Sequence, residues 1–271
     1  PCLLVNGRVS ESSLVSYRRF RWFFRPIFNS FQALAMQTEQ DAVSLRQLGV
    51  DSARLVVLGN LKYDAALPES SGKGHARAAL HFPDQALVWV AGSTHRGEEE
   101  IIFTAFQKLA QTFANLFLVV APRNVERGGE LAAMAARHGL SAFRRSLGGA
   151  GEGSVLILDT LGELASVYEL CDVAFIGGSL VPQRGHNPLE PAVYGKPVLF
   201  GPFMEDFAEI SRDLLAVGGA RQVRNAEELR AGVALLLAEP AERERAGRQA
   251  QGLIAARRGV TEAHLALLRR V

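Results

Sequence analysis

Only two cysteines, Cys2 and Cys171, occur in the 271 residues, and neither belongs to a Cys-x-x-Cys pair. That excludes a disulfide framework and points to a reducing, cytoplasmic compartment. No apolar run approaches the roughly 18 residues that suggest a membrane span, and no secretory signal is visible. Excess charge is missing too: 30 basic against 28 acidic residues leave a net charge of +2, too little for a general nucleic-acid binder. The phosphate-binding patterns Gly-x-Gly-x-x-Gly and Gly-x-x-x-x-Gly-Lys-Ser/Thr are absent, which disfavours dinucleotide oxidoreductases and P-loop kinases. So are His-Glu-x-x-His, a cysteine cluster and a serine nucleophile elbow, leaving no metal site or serine hydrolase to argue for. The sequence also has no initiator Met. It opens on Pro1-Cys2-Leu3-Leu4-Val5, a strand-like run, so an N-terminal part is expected to precede it.

What remains is a chain 48% hydrophobic and 21% charged, able to bury a sizeable core. Short apolar runs alternate with helical patterns. Strands are expected at Leu3–Val5, Ala33–Thr38, Leu55–Leu58, Leu87–Ala91, Phe117–Ala121, Val155–Leu158, Val173–Ile176, Pro197–Phe200 and Ala220–Val223. Helices are expected at Glu98–Thr112, Glu130–His138, Leu164–Leu170, Phe207–Val217 and Ala226–Ala238, with a helical tail over Glu239–Val271. Strand, helix, strand in this rhythm means parallel sheets covered on both faces, an α/β fold. A stretch rich in Pro, Ser and Gly, Ala65–Ala86, reads as a surface connection followed by a short helix. Ser146–Ser154 reads as a flexible loop. A boundary near Leu61–Pro68 gives residues 1–62 as the end of one domain, too short to be whole. Residues 63–255 form a second, and 256–271 a helix that packs back.

In an open parallel sheet, ligands bind beyond the carboxyl ends of the strands. Five strands of the second domain run into small and polar residues there. They are Gly92-Ser93-Thr94-His95, Pro122-Arg123-Asn124, Asp159-Thr160-Leu161-Gly162-Glu163, Gly177-Gly178-Ser179 and Gly201-Pro202. Together they read as the rim of a binding site. Farther on, Gly185-His186-Asn187-Pro188-Leu189-Glu190 reads as a helix start, with Asn187 as N-cap, Pro188 first and Glu190 third. Glu190 can close a capping box onto a backbone N–H. The free N–H groups can equally hold a phosphate while Glu190 accepts ribose hydroxyls. Gly177-Gly178-Ser179 resembles a phosphate loop, and Arg123 offers a bidentate anion contact. His95 and His186 lack partners at metal-ligand spacing.

Near the N-terminus, Tyr17, Phe20 and Phe24 share a helical face beside a stripe of Arg18, Arg21 and Arg25, and Trp22, Phe23, Ile27 and Phe28 widen the apolar side. This is either a core-facing helix with solvated arginines or an interfacial patch for anionic lipid head groups.

The motif at 185–190, taken with Ala121-Pro122-Arg123 and Gly59-Asn60-Leu61-Lys62-Tyr63-Asp64, resembles the 3-deoxy-D-manno-octulosonic acid (Kdo) transferases. Ala35-Met36-Gln37-Thr38-Glu39-Gln40-Asp41 and Gly92-Ser93-Thr94-His95 extend the match to essentially the whole chain. The resemblance implies a GT-B glycosyltransferase: two Rossmann-like domains with parallel sheets, the N-terminal one incomplete here. It implies transfer of Kdo from CMP-Kdo to the lipid A precursor (lipid IVA) in lipopolysaccharide core biosynthesis. Inversion at the anomeric carbon, no metal or cofactor, and the cytoplasmic face of the bacterial inner membrane are implied with it. Carried over by motif, Pro122, Arg123, Gly162, Glu163, Leu164, Asn187, Pro188, Leu189 and Glu190 resemble the CMP-binding set. Ser93, Thr94, Gly177, Gly178, Ser179 and His186 lie close to it. Lys62 resembles the family's basic residue that stabilises the transition state, a role a cation can fill against charge developing on the departing phosphate. The family's general base, a Glu near the start of the acceptor domain, matches nothing in this sequence, and Glu11 is not its equivalent. Such a chain is expected to bind CMP without turning over. Other readings of the same rim are a GT-B enzyme with a UDP-sugar donor and a non-catalytic nucleotide-binding module. A membrane adaptor would leave the rim unexplained.

Overall fold

A computed structural model describes residues 2–65, 77–80, 82, 83, 85–148 and 153–270. The chain divides into two units, Pro1–Leu67 with Ala256–Val271, and Pro68–Ala255.

In the first unit, β1 (Leu3–Gly7), β2 (Ala33–Met36) and β3 (Leu55–Val57) form a parallel sheet in the order β1-β2-β3. All four residues of β2 are buried, as a central parallel strand requires. Its core joins Leu34 and Met36 to Ala42, Leu45 and Leu48 around α3 (Glu39–Gln47). Thr38 caps α3 in a reciprocal capping box with Asp41. The aromatic N-terminal stretch is two helices, α1 (Glu11–Arg19) and α2 (Arg21–Ser30), broken at Phe20. Lys62 lies on the short α4 (Lys62–Ala65).

In the second unit, among the described residues, β4 (Leu87–Thr94), β5 (Leu116–Pro122), β6 (Ala142–Arg144), β7 (Val155–Ile157), β8 (Val173–Ile176), β9 (Val198–Phe200) and β10 (Ala220–Gln222) build one sheet. All its pairings are parallel, in the order β10-β9-β8-β4-β5-β7-β6. The helices are α5 (Glu98–Ala110), α6 (Gly128–Arg137), α7 (Leu164–Glu169), α8 (Leu189–Ala192), α9 (Ala208–Ala216), α10 (Ala226–Ala238) and α11 (Pro240–Ala256). The core joins Trp89, Phe103, Phe106, Leu118, Phe175 and Leu199 beneath α5 and α10. From β4 the chain moves toward β5, and from β8 toward β9, so the winding direction reverses between two hydrogen-bonded neighbours. The carboxyl ends of β4 and β8 therefore flank the crevice where ligands bind in such sheets.

The structure amends several expectations. β6 is a short edge strand between the expected helix and loop, with no alternating pattern to mark it. The short helix expected after the connection is a 3-10 turn at Arg77–Leu80, and the connection at 66–76 lies outside the described residues, as do 149–152 of the expected loop. The tail is two helices. α12 (Val260–Arg270) belongs to the first unit, where Asp64 accepts the Gly259 and Thr261 amides at 3.0 and 2.6 Å. Buried His264 on α12 accepts the Asn6 amide at Nε2 (3.2 Å) and donates from Nδ1 to the Val260 carbonyl (2.8 Å).

The aromatic stretch is only partly core-facing. Tyr17 and Phe28 pack on the core, but Trp22, Phe23 and Ile27 are exposed by 77%, 50% and 41%. The arginines are not simply solvated. Arg21 Nε donates to the Leu48 carbonyl (2.7 Å), Arg25 Nε to the Gly49 carbonyl (3.1 Å) and Arg18 to Gln47 (2.6 Å). These cations serve the C-terminal end of α3, where carbonyls lack helical partners. No helix among the described residues is long and apolar enough to cross a membrane.

Candidate functional site

The strand ends of the second unit converge as the parallel sheet requires. β4 ends in a bulge at Ser93, which takes a left-handed φ of 56°. Gly92 just before it has no room for a side chain, since a Cβ would sit 1.9 Å from the hydroxyl of buried Tyr168. Beyond the bulge, Thr94 donates to Glu99 (3.1 Å) and His95 turns into the crevice.

A buried carboxylate organises this end of the sheet. Glu98, fully buried in the first turn of α5, accepts the backbone N–H groups of Gly178 (2.7 Å), Ser179 (3.0 Å), Leu180 (2.9 Å) and His95 (2.9 Å). Burial holds its carboxyl above the usual carboxylate range, against the pull of those four amides. This corrects the phosphate-loop reading of Gly177-Gly178-Ser179. The amides of Gly178 and Ser179 are engaged by an internal carboxylate, and Ser179 Oγ is spent on the Ile176 carbonyl and the Gly201 amide. The segment is a floor, with Gly178 at φ 68° beneath His95 and His186.

The motif at 185–190 folds back over that floor: Gly185 N donates to the Gly178 carbonyl (2.8 Å) and His186 N to Gly177 (3.2 Å). The helix it opens, α8, is a single turn whose N-cap position is Pro188, one residue later than expected. Asn187 Oδ1 accepts the Leu189 amide (3.1 Å) and its Nδ2 donates to Glu190 (3.3 Å). No capping box forms, because Glu190 meets a side-chain amide rather than a backbone N–H. A single turn also weakens the dipole argument for a phosphate there. Burial pushes the Glu190 carboxyl above the usual range, opposed by Asn187 and by the charge of Arg123.

Arg123, directly after β5, is exposed, and among the described residues it has no ion-pair partner. Its neighbours are committed: Arg127 to Glu99 (2.7 Å) and Glu130 (3.1 Å), and Arg96 to Glu130 (2.9 Å). A pocket of about 290 Å³ opens here, lined by Thr94, His95, Arg96, Arg123, Asn124, Arg127 and Gln183. Its rim is cationic, with one guanidinium available for a bidentate anion contact.

The structure thus brings together Ser93, Thr94, Pro122, Arg123, Gly177, Gly178, Ser179, His186, Asn187, Pro188, Leu189 and Glu190 at the carboxyl edge of one sheet. Gly162, Glu163 and Leu164 follow β7 on the same edge. Glu163 is held by Arg145 (3.0 Å) and by the Thr160 hydroxyl, so it shapes the loop. Lys62 lies in the first unit, where Asn60 Oδ1 accepts its amide (3.1 Å) and buried Tyr63 and Asp64 pin α4. Sequence reasoning missed Glu98. Its only signal is an acidic first turn immediately after a strand end, and three consecutive glutamates hide which ones point inward.

Residues 1–65 match the family model described as 3-deoxy-D-manno-octulosonic-acid transferase (kdotransferase). The chain is 32% identical to the 3-deoxy-D-manno-octulosonic acid transferase of Haemophilus influenzae over 99% of its own length and 64% of that protein. It is 36% identical to that of Bordetella pertussis over 96% of its length and 61% of that protein. It therefore spans less than two thirds of these relatives. Among solved structures, the C-terminal CMP-Kdo binding domain of WaaA from Acinetobacter baumannii matches with a TM-score of 0.62 and 29% identity. That match covers 71% of this chain and 97% of that one. UDP-GlcNAc 2-epimerase from Neisseria meningitidis matches at 0.65 and 16% identity, over 98% of this chain and 69% of that one, a likeness of fold alone. The α/β architecture with parallel sheets is of the GT-B type.

Proposed function

We propose that the chain is part of a Kdo transferase, as its similarity to those enzymes suggests, and that it carries the donor site for transfer of Kdo from CMP-Kdo to the lipid A precursor, lipid IVA. The observation that carries this reading is the convergence of Arg123, His95, His186, Asn187 and Glu190 at the reversal point of the seven-stranded sheet, in the unit that resembles a CMP-Kdo binding domain.

In this reading Arg123 takes the phosphate of CMP. The half-buried Glu190, oriented by Asn187, accepts hydrogen bonds from the ribose hydroxyls. Pro122, Ser93, Thr94, the floor at 177–179, the single turn of Pro188 and Leu189, and the loop at 162–164 wall the site. The acceptor hydroxyl attacks the anomeric carbon with inversion, giving its proton to the family's general base, as the bond from that carbon to the phosphate oxygen breaks, and no metal takes part. CMP leaves with one more negative charge than it carried as a diester. By the resemblance alone, Lys62 of the first unit is the candidate for a cation that stabilises the transition state, an effect that counts only where it is larger there than in the bound donor.

The exposed Trp22, Phe23 and Ile27 beside a recess of about 520 Å³ lined by Arg21, Trp22, Arg25, Pro26 and Asn29 support contact with an anionic membrane surface. Aromatic side chains enter the interface while guanidinium N–H groups meet lipid phosphates. Such a contact, with a lipid as the proposed acceptor, supports a site of action at the cytoplasmic face of the bacterial inner membrane.

Calorimetric titration with CMP, UMP and GMP tests the donor reading. CMP is expected to bind in preference to the other two. Arg123→Ala and Glu190→Ala are each expected to weaken it about tenfold to a hundredfold, the loss of one charge-assisted contact. Preference for UMP, or full affinity in both variants, overturns the assignment.

A further inference from the structure

Two imidazoles meet across the crevice. His95 follows β4 and His186 lies on the loop after β8, yet their Nε2 atoms are 2.8 Å apart and their rings lie within 5° of parallel. Both are pinned through their backbones. The His95 amide donates to Glu98 and the His186 amide to the Gly177 carbonyl, and Gly178 leaves the space both rings fill. Two ring nitrogens this close need one hydrogen between them, donated by one Nε2 and accepted by the lone pair of the other. At least one ring is therefore neutral, and the pair carries either no charge or a single positive charge. A first extra proton enters at the donor ring's other nitrogen and leaves the hydrogen bond intact, charge-assisted. A second would break it.

The surroundings disfavour a positive charge on the pair. Burial comes first for both rings. It lowers His186, with His95 and Arg123 adding to the effect and Asp206 opposing it, to about 4. His95 is lowered by burial, with Glu99 opposing and Arg123 and Arg127 reinforcing. Arg123 is common to both, and it is the guanidinium that faces the pocket without an ion-pair partner among the described residues. An anion bound there cancels the repulsion and adds an attraction.

We infer that the His95–His186 pair takes up one proton from solvent when a nucleoside monophosphate binds beside Arg123, and so becomes a cationic clasp for its phosphate. This rests on the donor-site reading above and assigns the pair a task within it. No covalent bond changes, and the proton returns to solvent when the nucleotide leaves. The clasp is matched to the second negative charge of a phosphate monoester. It therefore holds the departing product-like phosphate more strongly than the diester of the bound donor.

The test counts protons. CMP is titrated into the chain at pH 7.5, where the phosphate is almost fully dianionic because its second pKa is near 6. The titration is repeated in PIPES, HEPES and Tris, which differ in ionisation enthalpy. The slope of observed heat against buffer ionisation enthalpy is expected to give an uptake of about 0.5–1 proton per CMP. Over pH 7–8.5, CMP affinity is expected to fall as pH rises through the raised pKa of the complex, by up to about tenfold per unit. His95→Gln and His186→Gln are each expected to remove most of the uptake and flatten the profile. Cytidine 5′-(methyl phosphate), a monoanionic diester, is expected to drive less uptake than CMP. Normal CMP binding with no buffer dependence overturns this inference and leaves the donor site standing, as does uptake that survives in both variants. No CMP binding at all overturns the donor-site reading, and the inference with it.

Discussion

Replacing Glu98 with Gln changes one atom and removes half of an acceptor set. Oε1 takes the amides of Ser179 and Leu180, and Oε2 those of Gly178 and His95, at 2.7 to 3.0 Å. In the variant, two of the four amides keep an oxygen and two face an NH₂ group, donor against donor. A buried donor left without an acceptor costs about 1–3 kcal/mol, so the change is expected to cost about 2–6 kcal/mol. With an m-value of about 2–3 kcal/mol/M in urea, the midpoint should fall by about 0.7–3 M. Glu99→Gln is the comparison. Glu99 is equally buried but its partners are the Thr94 hydroxyl and Arg127, and Arg127 retains Glu130. Its cost should be smaller, and the amides at 178–180 should be untouched. Amide hydrogen exchange separates a local effect from a global one. In the Glu98 variant, Gly178, Ser179 and Leu180 should exchange faster by more than the strand β5 amides do. A urea midpoint within about 0.3 M of the unmodified chain, with exchange at 178–180 unchanged, would refute the claim that this carboxylate holds the floor of the site.

Gly92→Ala places a Cβ 1.9 Å from the Tyr168 hydroxyl and 2.7 Å from its Cζ, an overpacking worth about 1–3 kcal/mol. Adding Tyr168→Phe should recover part of that loss in thermal or urea unfolding, and strict additivity of the two changes would show that the clash is relieved elsewhere. Asp64 caps α12 through the Gly259 and Thr261 amides, and Asp64→Ala should cost about 1 kcal/mol at pH 7. Burial raises the Asp64 carboxyl, but the Thr261 and Gly259 hydrogen bonds outweigh it and hold it below the usual range. Its contribution is therefore complete above the unfolded value near 4 and is lost as pH falls through the lower folded value. Denaturation at pH 7 and pH 3 should show the wild-type advantage shrinking in acid, and an advantage that grows in acid contradicts the sign. Trp22→Ser removes a side chain 77% exposed, so stability should hold while co-sedimentation with vesicles containing anionic lipid drops. Equal co-sedimentation would remove α2 from the membrane contact.

Much of the sheet was legible because buried parallel strands are continuous apolar runs. Leu87–Ala91 and Val173–Ile176 could hardly be anything else, and the small residues after them marked the binding edge. β6 was not legible: Ala142-Phe143-Arg144 is three half-buried residues at a sheet edge, without enough period to register. The frame of α8 slipped by one because Asn187 caps by bonding two residues on, a local geometry several cap positions can share. The reading of the arginines as a solvated stripe failed because helical phase shows only which residues share a face. It does not show that a break at Phe20 turns the arginines toward the end of α3.

The sequence by itself determined the alternation of strands and helices, the polar strand ends and the motif around Asn187 and Glu190, since these depend on period and on local turn chemistry. Tertiary structure alone decided that the winding reverses between β4 and β8. It thereby brought His95 to within 2.8 Å of a histidine 91 residues away, and filled the amides of Gly178 and Ser179 with a carboxylate from α5. Pairings of that separation leave no period in the chain. They exist only once a parallel sheet has set its strand order and low-dielectric burial has made each unpaired polar group costly enough to demand its partner.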